Sequence, residues 1–350
     1  MNTLRIAVAA TVAMLVGTPG SFAQDQDAVA AFYKGKTISL YIGSDVGGGY
    51  NAYARTVWRY MPEYIPGKPS VVYLNMPGAG GRKATGYMAA VAAKDGSAVG
   101  AVQPGAIVES VLGDPKNAKY DPRTFGYVGS PESSDQLCLV RKDSPVKKFE
   151  DLFTHEIVVG GDAKGSSLSD VSNLFKNVLG AKFKVVNGYK GSHAVVMAIE
   201  RGELDGMCGY GWSPLMSQAA HLVKENKVTI LVQFAMKGYP EPTKMGVPMI
   251  WKFVKNEDQR RMLELAAAPL VFGRVEFVPG GVPKERLMAL RRAFDKTMTD
   301  PRYIKDAEKQ HLGITPASGE EIEDMVKRIF DTPKELAART RAALYNEPVR

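Results

Sequence analysis

Glycines stacked between an apolar run and a helix-like run leave backbone N–H groups free to hold an anion, and this chain repeats that arrangement four times. The first is "GSDVGGG" (Gly43–Gly49), between "KTISLYI" and "YNAYARTVWRYMPEYI". The second is "NMPGAGG" (Asn75–Gly81), the third "VGGDAKGSSLSD" (Val159–Asp170), and the fourth "GYKGSHA" (Gly188–Ala194). Glycine lets the backbone approach a ligand closely, and a helix N-terminus aims unsatisfied N–H donors at it. Any one of these loops also reads as a tight strand-to-helix turn. In a parallel sheet, however, all four would gather at the carboxyl ends of the strands, where α/β proteins bind ligands. Tyr50, Tyr53, Tyr189, Tyr210 and Trp212 stand near the loops. They are candidates for pocket walls as well as for ordinary packing.

Motifs for group transfer are missing their key residues. "GAGGRKATG" puts Lys83 where a dinucleotide fingerprint needs glycine, and "GGDAKGSS" puts Ser166 where a phosphate loop needs lysine. No GxSxG elbow is present. Ser166 and Ser213 are candidate nucleophiles, and His193 at a helix start is a candidate ligand donor or base. Asp45 and Asp205 read as capping or bracing residues. The four histidines and two cysteines show no metal-ligand spacing, so no metal site and no cofactor are expected.

The elements that must position these loops alternate. Strand-like "KTISLYIG", "SVVYLNM" and "SAVGAVQ" are separated by helix-like "YNAYARTVWRYMPEYI" and "RKATGYMAAVAA", and a short helix "GAIVESVLG" follows. This βαβαβ order predicts a mostly parallel sheet with crossover helices. The middle repeats it. "TFGYVGSPESSDQLCLVRKDS" reads as a strand pair, and "EIVVGGD", "KFKVVNGY", "LDGMCGYGW" and "VTILVQFA" as strands. From Asp258 onward the pattern is mostly helical.

The opening residues read as an export leader: Arg5, an apolar run from Ile6 to Gly17, and small residues Ser21 and Ala23 before a cut after Ala23. The run is too short to span a bilayer. The net charge of +8 is spread along the 350 residues without a basic run. That counts against nucleic acid as a partner and suits an anionic ligand. In an exported chain, Cys138 and Cys208 read as a disulfide, with two buried free thiols as the alternative.

The ordered set "GSDVGGGYNAYAR", "PGAGG", "AAKDG", "GYKG…AIERGELDGM" and "FVPGGVPKERLMALRRAF" resembles the Bug (TctC-type) periplasmic substrate-binding proteins of tripartite tricarboxylate transporters, over about Ala30 to Asp331. The resemblance implies a monomeric, two-lobed Venus flytrap of type II-like α/β fold, with a helical C-terminal tail. Residues 1–23 would be the leader, 24–103 with 233–350 lobe one, and 104–232 lobe two. It implies a periplasmic carrier, not an enzyme, that hands a small organic carboxylate to membrane transporter subunits. The carboxylate would be held by Gly47, Gly48 and Gly49 with Gly78, Ala79, Gly80 and Gly81. Gly165, Ser166, Ser167, Tyr189, Lys190 and Gly191 would close from lobe two, and the aromatic candidates Tyr50 and Trp212 would stand at the two sides of the ligand. Many relatives place an aspartate where Gly209 stands here, which counts against a ligand ammonium at that position. The other readings are an exported hydrolase using Ser166 or Ser213 with His193, and a ligand sensor for a two-component kinase.

Overall fold

The computed structural model describes residues 20–46, 49–113, 115–162 and 165–348. Residues 1–19 of the expected leader lie outside them, and its expected cut after Ala23 falls in the first turn of helix α1 (Gly20–Tyr33). No helix among the described residues is long and apolar enough to cross a membrane.

The first sheet grows from β1 (Thr37–Ile42), β2 (Ser70–Asn75) and β3 (Ala98–Val102), all parallel. Strand β1 alternates in burial, with Ile38, Leu40 and Ile42 fully buried; every residue of β3 is buried, as a central strand requires. Helices α2 (Gly49–Tyr60), α3 (Arg82–Ala90) and α4 (Pro104–Leu112) follow these strands in turn. In α2 the apolar residues Tyr53, Ala54, Val57 and Trp58 fall on one face and are buried. Strand β4 (Gly126–Ser130) belongs to this same sheet, and β5 (Gln136–Arg141) does not. The two segments read as a strand pair therefore part company, because residues 131–135 carry the chain across to a second sheet.

That second sheet contains β5, β6 (Ile157–Gly160), β7 (Phe183–Val186), β8 (Gly206–Tyr210) and β9 (Val228–Phe234), in the order β7-β6-β8-β5-β9. Its helices are α5 (Ser167–Leu174), α6 (Ser192–Glu200), α7 (Trp212–Gln218), α8 (Ala220–Lys224), α9 (Pro240–Lys244) and α10 (Glu257–Ala267). Strands β6, β7 and β8 are parallel, and β5 runs antiparallel to both its neighbours. Cys138 and Cys208 are register partners on β5 and β8 and are joined by a disulfide.

The chain returns through residues 268–274 to β10 (Val275–Val278), which lies antiparallel between β3 and β4. The first sheet is thus β11-β4-β10-β3-β1-β2, with β11 (Ala317–Ser318) at its edge. Both sheets are mixed, and each repeats one plan: three parallel strands in the order second-first-third, then an antiparallel strand, then a fourth. Strand β10 was not legible in the tail, where the helical pattern of α11 (Lys284–Met298), α12 (Pro301–Lys309), α13 (Gly319–Phe330) and α14 (Lys334–Tyr345) dominates. Local caps set these helix starts: Asp300 accepts from Arg302 N–H at 2.8 Å, and Ser318 with Glu321 forms a capping box.

Sheet membership and packing move the expected lobe limits. Segment 104–130, expected in lobe two, supplies α4 and β4 to the first sheet; Ile107, Leu112 and Tyr127 pack in its core with Phe277. Segment 235–267, expected in lobe one, packs Ile250, Phe253, Met262 and Leu263 into the second core with Phe149 and Phe175. Helix α14 touches both: Ala343 joins the second core and Ala337 the first.

Candidate functional site

The carboxyl ends of the strands from both sheets open on one cleft. A cavity of about 1050 Å³ is lined by Tyr50, Gly80 and Gln103 from the first sheet's loops, by Gln136, Gly165 and Ser167 from the second, and by α14. It adjoins a smaller cavity of about 300 Å³ that shares Tyr50, Gln136 and Ser167.

The turn Gly78–Gly81 shows why its residues are small. All four have positive φ (137°, 48°, 62° and 88°), a run that L side chains rarely adopt. Ala79 is therefore strained and the three glycines relieve the rest. A side chain at Gly81 would also collide with Gln103 Oε1, which is itself buried without a hydrogen-bond partner. Gly80, by contrast, faces open space and lines the cleft. Of the first loop, Gly47 and Gly48 lie outside the described residues, Gly49 opens α2, and Tyr50 lines both cavities.

The second sheet's loops contribute unequally. Ser166 and Ser167 line the small cavity, and Gly165 and Ser167 the large one. Some of their polar groups are already engaged: Gly165 N–H donates to Asp170 Oδ1 at 3.1 Å, and Ser167 Oγ donates to the Gly209 carbonyl at 2.8 Å. That close approach explains Gly209. It has φ 78°, and any Cβ there would strike the Ser167 carbonyl. Tyr189 and Trp212 pack their rings against the second sheet's core, Lys190 is exposed, and Gly191 caps α6; their loop reaches the small cavity through Ser192. Beside Trp212, the cavity wall is Tyr210, Gly211 and Pro214.

The centre of the cleft is a charged cluster that no glycine motif announces. Glu132 and Asp135 lie on the first crossing segment and Arg274 on the second, and the two segments are tied by Ser134 N–H donating to the Leu270 carbonyl at 2.7 Å. Arg274 Nη2 stands 3.2 Å from Glu132 Oε2, and its guanidinium covers the rings of Tyr50 (4.3 Å) and Tyr53 (4.9 Å). Ser213 Oγ donates to Glu132 Oε1 at 2.9 Å and lies 3.1 Å from the Tyr239 hydroxyl. Ser213 is thus tied to a carboxylate, while His193 is exposed on α6. Burial raises the Glu132 carboxyl, against the pull of Arg274. Asp135 accepts from Trp212 N–H at 3.1 Å; burial pushes its carboxyl up to about 7, the Trp212 bond opposes this, and Glu132 adds to it. Among the described residues no group of histidine, cysteine or carboxylate side chains is arranged to hold a metal.

No protein-family model and no curated protein matches this sequence. Solved structures do match its fold. A TctC solute-binding protein from Polaromonas superposes with a TM-score of 0.70 at 17% identity, over 90% of this chain and 99% of that one. The periplasmic binding protein BugD matches with a TM-score of 0.59 at 18% identity, over 90% of this chain and 100% of that one. An R. palustris protein with adipate matches with a TM-score of 0.59 at 20% identity, over 87% of this chain and 97% of that one. The chain has the two-lobed periplasmic-binding-protein fold of these TctC and Bug proteins.

Proposed function

We propose that this chain is a periplasmic solute-binding protein that captures a small organic carboxylate between its two lobes and delivers it to a membrane transporter of the tripartite tricarboxylate type. The observation that carries the reading is the shared cleft: the loop residues Tyr50 and Gly80 of one sheet and Gly165 and Ser167 of the other line one cavity. The adipate named for one structural neighbour supports an organic acid as the ligand class. Backbone N–H groups at the Gly78–Gly81 turn and at the starts of α2 and α5 are neutral donors. They hold a carboxylate reversibly and offer it no nucleophile. Closing the lobes about residues 131–135 and 268–274 would bury the acid and present a changed surface to the membrane partner.

The test is a thermal-shift screen of di- and tricarboxylates and aromatic acids, with calorimetry of the hits. At least one acid is expected to raise Tm. Gly80→Val, which places a branched side chain in open cleft space at φ 62°, should weaken that acid more than tenfold. Deleting the gene should abolish uptake of the acid by the cell. If no small acid raises Tm and Gly80→Val alters no binding, the protein is not a carrier of organic acids.

A further inference from the structure

The smaller cavity has the wrong charge for the end of a dianion. Its lining includes three carboxylates, Glu132, Asp135 and Asp162, and one guanidinium, Arg274. Arg274 is already committed to Glu132 at 3.2 Å and to the faces of Tyr50 and Tyr53. Asp135 is 4% exposed, and its hydrogen-bond donor in the cleft is the neutral backbone N–H of Trp212. The other charged group acting on it from outside the cavity wall is Glu241, also acidic. Glu132 Oε2, in a residue 3% exposed, has no hydrogen-bond partner, although Arg274 lies close. A second ligand carboxylate placed here would meet like charges in a poorly solvated space, whereas a cation would relieve them.

We infer that the captured acid also carries a cationic nitrogen, and that Asp135 is the residue that selects for it. The inference rests on the solute-capture reading of the same cleft. The ligand carboxylate lies toward the Gly80 turn and its ammonium toward Asp135, with Glu132 behind it. Gly209 cannot supply a carboxylate of its own, since a Cβ there meets the Ser167 backbone; the acidic group comes instead from the crossing segment. The groups facing Asp135 are Glu132 and Arg274 from the crossings, Asp162 from the end of β6, Tyr50 from α2, Tyr210 from β8, Glu241 from α9, and Tyr239 just before α9. With Arg274 held by Glu132, ionisation of Asp135 sets the net charge offered to the ligand.

The experiment is calorimetric titration of the whole protein with matched pairs: succinate against 4-aminobutyrate, and adipate against 6-aminohexanoate. The zwitterion of a pair is expected to bind at least tenfold tighter at pH 8. Its affinity should fall as pH drops through about 7, where Asp135 takes up a proton, while the dianion's affinity rises. Asp135→Asn should abolish both the preference and the pH dependence and leave the dianion binding as well or better. Tighter binding of dianions by the wild type, with no effect of Asp135→Asn, would overturn the inference and leave solute capture standing. Failure of every acid to bind, with Gly80→Val equally silent, would overturn both. If Asp135→Asn fails to fold, the wild-type pH profiles of the two ligands decide alone: parallel profiles refute the inference.

Discussion

Glu276 lies 1% exposed in the middle of the first sheet, with the Trp58 indole N–H donating to it at 2.9 Å. Burial pushes its carboxyl up to about 8, against the smaller downward pull of that hydrogen bond. In the unfolded chain the group ionises at its ordinary value near 4.5. Between these two pH values the folded state holds the extra proton, so stability falls as pH rises from about 4.5 to about 8 and levels off above. A shift of that size corresponds to ~5 kcal/mol, an upper bound on the effect. Glu276→Gln keeps an acceptor for Trp58 and removes the titration. Calorimetric melting should therefore give the variant a Tm close to wild type at pH 5 and several degrees above it at pH 8; an offset identical at both pH values would refute the argument. Asp135 titrates in the same direction, but it is common to both proteins and cancels in the difference. At this scale the sequence is legible only where residue type alone carries the requirement. Three glycines between Gly78 and Gly81 state a need for positive φ. Glu132, Asp135, Arg274 and Glu276 look like any surface charge until the fold buries them, and Glu132 meets Arg274 only because two distant crossings run side by side.

The second sheet is cross-linked where its parallel and antiparallel halves meet. Cys138 and Cys208, each 1% exposed, join β5 to β8 across 70 residues of chain. Closing a loop of that length removes conformations from the unfolded state and adds ~2–4 kcal/mol of stability. The double variant Cys138→Ala/Cys208→Ala should lower Tm by several degrees, and a reductant should do the same to the wild type while leaving the variant unchanged. A reductant-insensitive wild type would show that the bond does not form in solution. Most elements were readable: β1 and β2 alternate, β3 is a short apolar run bounded by turn residues, and the helices between them show amphipathic spacing. The misreadings share one cause. Strands β4 and β5 are neighbours in sequence and read as a pair, yet residues 131–135 carry the chain from one sheet to the other. Strand β10 is four residues long and fully buried, so it has no alternation to display, and helical runs surround it. Its place between β3 and β4 is set by partners far away in the chain.

The two sheets are joined by two crossing segments, and α14 makes a third connection of a different kind. Much of it packs on the second sheet: Ala343 sits in that core with Leu336 and Leu344 packed against it, Arg339 pairs with Asp258 on α10, and Ala337 reaches the first core. Its other face grips the end of α4 in the first lobe. Arg341 Nη1 donates to the Gly113 carbonyl at 3.2 Å, and the Tyr345 hydroxyl donates to the Leu112 carbonyl at 3.1 Å. These are the carbonyls that a helix C-terminus leaves without intrahelical partners, so the grip satisfies groups that would otherwise need water. It also spans the cleft, because α14 residues line the large cavity. If the lobes close about these two segments, the bridge made by α14 is expected to favour the closed arrangement before any ligand arrives. The double variant Arg341→Ala/Tyr345→Phe removes these two hydrogen bonds to α4 and leaves the apolar attachments to the two cores. Solution scattering should then show a larger radius of gyration for the free protein and an unchanged one for the ligand-saturated protein. Affinity should fall by the fraction of closed molecules lost. Equal radii for variant and wild type without ligand would mean that α14 rides on one lobe only and that the two crossing segments alone set the hinge.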